Sequence, residues 1–171
     1  IADGLADHDA FFHTDAAQSF GKQILVLKNK RIDMISISGH KLYAPKGIGA
    51  LVTRARNFEK PPLTPIVWGG GQERGLRPGT LPVHLIAGLG LAAELAEKES
   101  SDRMAKCGSV KKKLLEAFAP FNPKVHGDVG HTVPTTVSVS FGDVDSEALM
   151  LGLKDVVAIS NGSACTSTSY K

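Results

Sequence analysis

The chain has 171 residues, 42% hydrophobic and 22% charged, with a net charge of +3. Ample apolar content and dispersed charge exclude a disordered segment and leave enough chain for one domain or one and a half. No apolar run approaches the ~18 residues that a membrane span needs, the start lacks the charged-then-apolar layout of a secretory signal, and nucleic-acid binding is not indicated.

Residues 1–8 read as the tail of a helix entering a short apolar strand, Ala10 to Thr14. A second strand, Asp33 to Ser38, leads into Gly39-His40-Lys41, and a third, Ile48 to Thr53, follows the turn signal Pro45-Lys46-Gly47. The last two are separated by a short loop, so an antiparallel pair within a mixed sheet is expected. Residues 59–80 contain Pro61-Pro62, Gly69-Gly70-Gly71 and Pro78-Gly79. They predict a long irregular loop of the kind that is usually functional or disordered.

Leu85, Ile86, Leu89, Ala92, Ala93 and Ala96 mark one helix face, and a separate helix is expected from about Ser101 to Phe118. Cys107 falls on the apolar stripe of that second helix and reads as a buried core thiol, and Lys111-Lys112-Lys113 as its solvated face. Beyond Pro120, Thr136 to Phe141 alternates with period two as a strand. Asp145 or Ser146 caps a helix reaching Leu153, and Val156 to Ile159 is expected to be a closing strand. These elements predict an α/β domain over residues 1–98 and part of a smaller α+β domain over 99–171. The two ends, at Ile1-Ala2-Asp3 and Tyr170-Lys171, suggest a segment of a longer chain. Two cysteines, Cys107 and Cys165, make no disulfide framework, so a reducing compartment such as the cytoplasm is expected.

Chemistry-bearing residues gather after the first two strands: His13-Thr14-Asp15-Ala16-Ala17-Gln18 and Ser38-Gly39-His40-Lys41. Taken singly each has an ordinary reading, Asp15 as a helix cap and Lys41 as a surface cation. Together they match what pyridoxal 5′-phosphate (PLP) requires. A lysine in a partly desolvated pocket reacts with an aldehyde. A carboxylate on the pyridine nitrogen makes the ring an electron sink. Ser38 and the backbone near Gly39 offer donors for a phosphate.

With Pro45-Lys46-Gly47-Ile48-Gly49, Gly69 to Arg74, Arg77-Pro78-Gly79-Thr80 and Gly162-Ser163-Ala164-Cys165-Thr166-Ser167, these strings occur in the order found in NifS/IscS-type cysteine desulfurases. The chain resembles that family over nearly its whole length, in the branch with a long cysteine loop. The resemblance implies fold-type I, the aspartate aminotransferase-like PLP-dependent transferases, with a large-domain portion and a smaller C-terminal portion. It assigns Lys41 the covalent link to PLP, Asp15 the pyridine nitrogen and Gln18 the phenolic oxygen. Ser38, Gly39 and His40 would hold the phosphate, with Thr80 reaching the site of a neighbouring subunit in a homodimer. L-cysteine would be the substrate, L-alanine the product, and Cys165 the thiol that takes sulfur as a persulfide for an acceptor protein. No metal is implied beyond a transient iron–sulfur contact through Cys165. Alternatives are an aminotransferase-like enzyme without persulfide chemistry and an incomplete chain that docks a sulfur acceptor. The sequence departs from the family at Pro78 and Asn161. It also lacks counterparts of the family's N-terminal cofactor contacts and its C-terminal carboxylate-binding arginine.

Overall fold

The computed structural model describes residues 1–56, 58–128 and 130–162. Strands β1 (His13–Asp15), β2 (Met34–Ser38) and β3 (Gly49–Thr53) form a three-stranded sheet in that order. β1 runs parallel to β2, with Asp15 opposite Ser36, and β3 is antiparallel to β2, as the short loop between them predicts. The chain forms two compact units, Ile1–Met104 and Ala105–Lys171.

The sheet in the first unit has chemically distinct faces, because side chains alternate along a strand while cross-strand partners share a side. Ile35 and Ile37 lie on one face and pack into the two apolar clusters, one built on Ala16 and Ile32, the other on Leu42, Ala44, Ala92 and Ala96. His13, Asp15, Ser36 and Ser38 occupy the other face. A short helix, α1 (Ile24–Leu27), lies in the crossover between β1 and β2.

The two helices expected after residue 83 are one: α2 runs unbroken through Val83–Phe118. Ser100-Ser101-Asp102 resembles a helix start, since such side chains compete for backbone groups. No Gly or Pro interrupts residues 91–107, however. The i,i+4 ion pairs Glu94–Lys98 and Glu99–Arg103, each 2.6 Å, flank the serines and favour continuation. Despite its length, neither α2 nor any other helix among the described residues is apolar enough to cross a membrane.

Other expectations need correction. Residues 1–8 contain only a 3-10 turn, Asp3–Leu5. In the second unit, the strand expected over 136–141 is reduced to β5 (Val139–Ser140), paired with the two-residue β4 (Lys124–Val125) and extended by one bond from the His126 N–H to Ser138 O. Val156 to Ile159 forms no strand, having no partner edge among the described residues. Cys107 is half-buried, not buried, because no described residue of this unit reaches full burial. The cap of α3 (Ser146–Leu153) is as expected: Asp145 Oδ1 accepts from the Ala148 N–H at 2.8 Å. The Asp128 carboxyl is held below its ordinary pKa by His131 and then by the Gly130 N–H. That bonding therefore favours the fold above the ordinary carboxylate range and is lost as pH falls through the lowered value.

A buried ion pair ties the start of the chain to the sheet. Asp33 is 1% exposed, and its Oδ2 accepts from Arg31 Nη1 and from the Phe12 N–H, both at 2.7 Å. Arg31 also donates to the carbonyls of Leu5 (2.7 Å), His8 (2.9 Å) and Ala10 (2.6 Å). Removing one partner of such a pair strands the other charge in the interior. Asp33→Ala is therefore expected to lower the unfolding free energy by about 3–5 kcal/mol in urea titrations. Lys98→Ala, which breaks a surface pair, is expected to change it by less than about 1 kcal/mol. Equal effects would remove the Arg31–Asp33 pair from its structural role.

Candidate functional site

Because β1 and β2 are parallel, the segments that follow them leave the sheet at the same end. That end, beyond the carboxyl ends of strands, is where sheets of this class bind ligands. The backbone continues the pairing one step past β1, with the Ala16 N–H donating to Ser36 O at 2.9 Å. Asp15 Oδ1 accepts from the Ala17 N–H at 2.9 Å, which fixes the carboxylate at the head of the turn that carries exposed Gln18.

After β2 the chain enters a 3-10 turn, Gly39–Leu42. Gly39 is buried, and a Cβ there would lie 2.8 Å from Ile48 O and 2.9 Å from Ile48 Cγ2. Only glycine lets the turn lie this close to the residue before β3. Ser38 Oγ and His40 Nδ1 are 3.1 Å apart. A 3-10 start also leaves its first N–H groups without acceptors inside the turn, and of these the Gly39 N–H donates to Ile48 O at 3.0 Å, so the His40 N–H is the one left for an anion. Hydroxyl, imidazole and N–H donors thus share one short segment, a donor set that suits an anion.

Lys41 is exposed, and its amine has no hydrogen-bond or ion-pair partner among the described residues. The partly desolvated pocket expected around it is not built by these residues alone. The buried neighbours Leu42 and Ala44 anchor the turn beneath it. Tyr43 ends the turn in the left-handed region, φ 71° and ψ 15°, a conformation that costs a non-glycine residue about 1–2 kcal/mol.

Carboxylate, amide, hydroxyl, imidazole and free primary amine therefore emerge from one sheet end, and they fit PLP: anion donors at Ser38–His40, an amine at Lys41 and a carboxylate at Asp15. Thr80 is exposed in the long loop. Cys165 lies outside the described residues, and among those described no group of His, Cys, Asp and Glu could hold a metal ion.

The sequence did not single out the pairing of His13 Nε2 with Ser36 Oγ at 2.7 Å. Its signal was the alternation that puts His13 and Asp15 on one face. The left-handed Tyr43 had no signal, since glycine or asparagine is the usual occupant of that region.

The aminotransferase class-V family matches residues 1–171. A Drosophila melanogaster protein named cysteine desulfurase, mitochondrial, is 48% identical over 163 residues, covering 94% of this chain and 35% of that protein. Cysteine desulfurase IscS of Actinobacillus succinogenes is 42% identical over 165 residues, covering 96% and 40%. The crystal structure of DndA from Streptomyces lividans superposes with a TM-score of 0.83 at 49% identity, covering 95% of this chain and 46% of that one. The chain thus spans 35–46% of the length of these three proteins.

If Gly39 is what seats the Lys41 turn, Gly39→Ala is expected to destabilise the first unit by about 1–3 kcal/mol, as other overpacking does. Gly71→Ala, where a Cβ meets nothing within 4 Å, is the control. Urea midpoints check both, and a neutral Gly39→Ala would show that the close approach is dispensable.

Proposed function

The chain belongs to the aminotransferase class-V family, whose members have the fold-type I architecture and depend on PLP, and from this premise we propose that it carries the cofactor-lysine region of a cysteine desulfurase. The observation that supports this reading is the convergence of turns 15–18 and 38–41 at one end of parallel β1 and β2.

In this reading the Ser38 hydroxyl, the His40 ring and the N–H that follows Gly39 hold the phosphate by charge-assisted hydrogen bonds. The Asp15 carboxylate, oriented by the Ala17 N–H, keeps a proton on the pyridine nitrogen. Gln18 donates its amide to the phenolic oxygen. When bound, PLP supplies an electron sink for negative charge at the substrate Cα. The Lys41 amine holds the cofactor between turnovers and takes the Cα proton from L-cysteine during them. The Cys165 thiolate attacks the substrate sulfur: an S–S bond forms, the Cβ–S bond breaks, and the carbon skeleton leaves as L-alanine after protonation. Sulfur then passes from the Cys165 persulfide to an acceptor protein.

We propose further that the active species is a homodimer in which Thr80 of one subunit completes the phosphate site of the other. The long 59–80 loop supports this reading, with Ile66 and Trp68 largely exposed on it. The persulfide chemistry calls for a reducing compartment, the cytoplasm or, as in the name of the Drosophila relative, the mitochondrion.

Two measurements on the intact enzyme test these roles. Borohydride reduction and peptide mapping are expected to place a pyridoxyl group on Lys41; an adduct solely on Lys46 or Lys22 would contradict the assignment. Cys165→Ser is expected to abolish persulfide formation while PLP absorption persists, because a serine hydroxyl is hardly ionised near neutrality. Cys107→Ser is expected to leave sulfur transfer intact. Sulfur transfer at the parent rate by Cys165→Ser would move the role to another thiol.

A further inference from the structure

The segment that carries Lys41 alternates between buried and exposed residues. Leu42 and Ala44 pack against Ala92 and Ala96 of α2. Pro45 lies so close to Gly88 of the same helix that a Cβ there would come within 2.8 Å of Pro45 Cδ. Between these anchors stands Tyr43, 83% exposed and in the left-handed region. Its N–H and that of Ala44 both donate to Gly39 O, which closes the turn around Lys41.

An exposed tyrosine has no burial of its own to offset a strained backbone, yet its ring does have a partner. The Arg103 guanidinium lies 5.3 Å from the ring centroid, within the range of a cation–π contact. Arg103 is itself fixed one helical turn back, donating to Glu99 Oε2 from Nε at 2.9 Å and from Nη2 at 2.6 Å. Glu99, Arg103 and Tyr43 thus form a chain of contacts from α2 to the closing residue of the Lys41 turn.

We infer that this chain is a latch: Arg103 is a positioning residue that, through Tyr43, holds the turn closed and sets where the Lys41 amine stands. The latch rests on geometry alone. Its consequence for cofactor chemistry rests on the proposed role of Lys41. A cation–π contact at an exposed site corresponds to about a two- to fivefold change in an opening equilibrium. That is enough to redistribute a strained surface turn without unfolding the sheet.

Amide hydrogen exchange on the 171-residue chain separates the two levels. Arg103→Met keeps the length of the side chain and removes its charge. It is expected to speed exchange at Tyr43 and Ala44 by about two- to fivefold, leaving the Arg54 N–H, which donates to Asp33 O, unchanged. Arg103→Lys, which restores a cation over the ring, is expected to recover most of the protection. In a Tyr43→Gly background, where strain and ring are both gone, Arg103→Met is expected to add nothing. The latch is overturned if Arg103→Met leaves Tyr43 and Ala44 unchanged, if it accelerates the Arg54 amide equally, or if its effect persists in the Tyr43→Gly background. With pyridoxal phosphate as probe, borohydride trapping at Lys41 is expected to fall in Arg103→Met and recover in Arg103→Lys. Failure of the parent chain to trap the probe at Lys41 would contradict the cofactor reading, while the exchange data would still decide the latch.

Discussion

The buried pair Arg31–Asp33 sets the geometry on which the rest depends. Parallel strands have no tight turn to fix their register; they are joined by a crossover, here residues 16–33 with the short α1. The register must come from elsewhere, and Asp33 supplies it at the entrance to β2. Its carboxylate takes the Phe12 N–H, and its own N–H donates to Phe12 O at 2.9 Å, so the residue before β1 is clamped to the residue before β2. Arg31 neutralises the carboxylate and gathers the carbonyls of Leu5, His8 and Ala10. A slip of one residue would send Asp15 and His13 to the opposite face. Parallel pairing gives the carboxylate and the lysine turn a common sheet end, and the clamp decides whether Asp15 stands on the face of Ser36 and Ser38.

The second constraint is glycine-mediated contact around the lysine turn. Gly39 lets the turn meet Ile48, and Gly88 lets α2 meet Pro45. In both places the absence of a Cβ permits a close approach, of Gly39 to the carbonyl and side chain of Ile48 and of Gly88 to the ring of Pro45. The amine of Lys41 is left outside this packing, where a cofactor or solvent can reach it. Rigid support beneath a free reactive group is the arrangement that positioning demands.

Much of this was legible in the sequence. β2, β3 and their antiparallel pairing follow from apolar runs around Pro45-Lys46-Gly47, and the α3 cap from Asp145. The ordered motifs singled out candidate site residues, and the parallel pairing of β1 and β2 brings two of the clusters to one sheet end. What escaped depends on tertiary partners. Ser100-Ser101-Asp102 carries a local start signal that the flanking ion pairs and the lack of breakers override. Val156 to Ile159 has strand propensity but no edge to join among the described residues, and Cys107 has a helix stripe but only partial cover. Asp33 looked like the ordinary head of a strand; only the fold shows it as the buried partner of Arg31. Tyr43 violates the residue preference for its own conformation, so no local rule could have found it.

An amide shift map of the ¹⁵N-labelled chain titrated with pyridoxal phosphate shows whether the two turns converge on one ligand. Joint perturbation of Asp15 to Gln18 and of Ser38 to Lys41, saturating together, is the predicted result. Perturbation of only one of these segments, or of Ala105 onward with neither of them, would contradict a shared site at the end of β1 and β2.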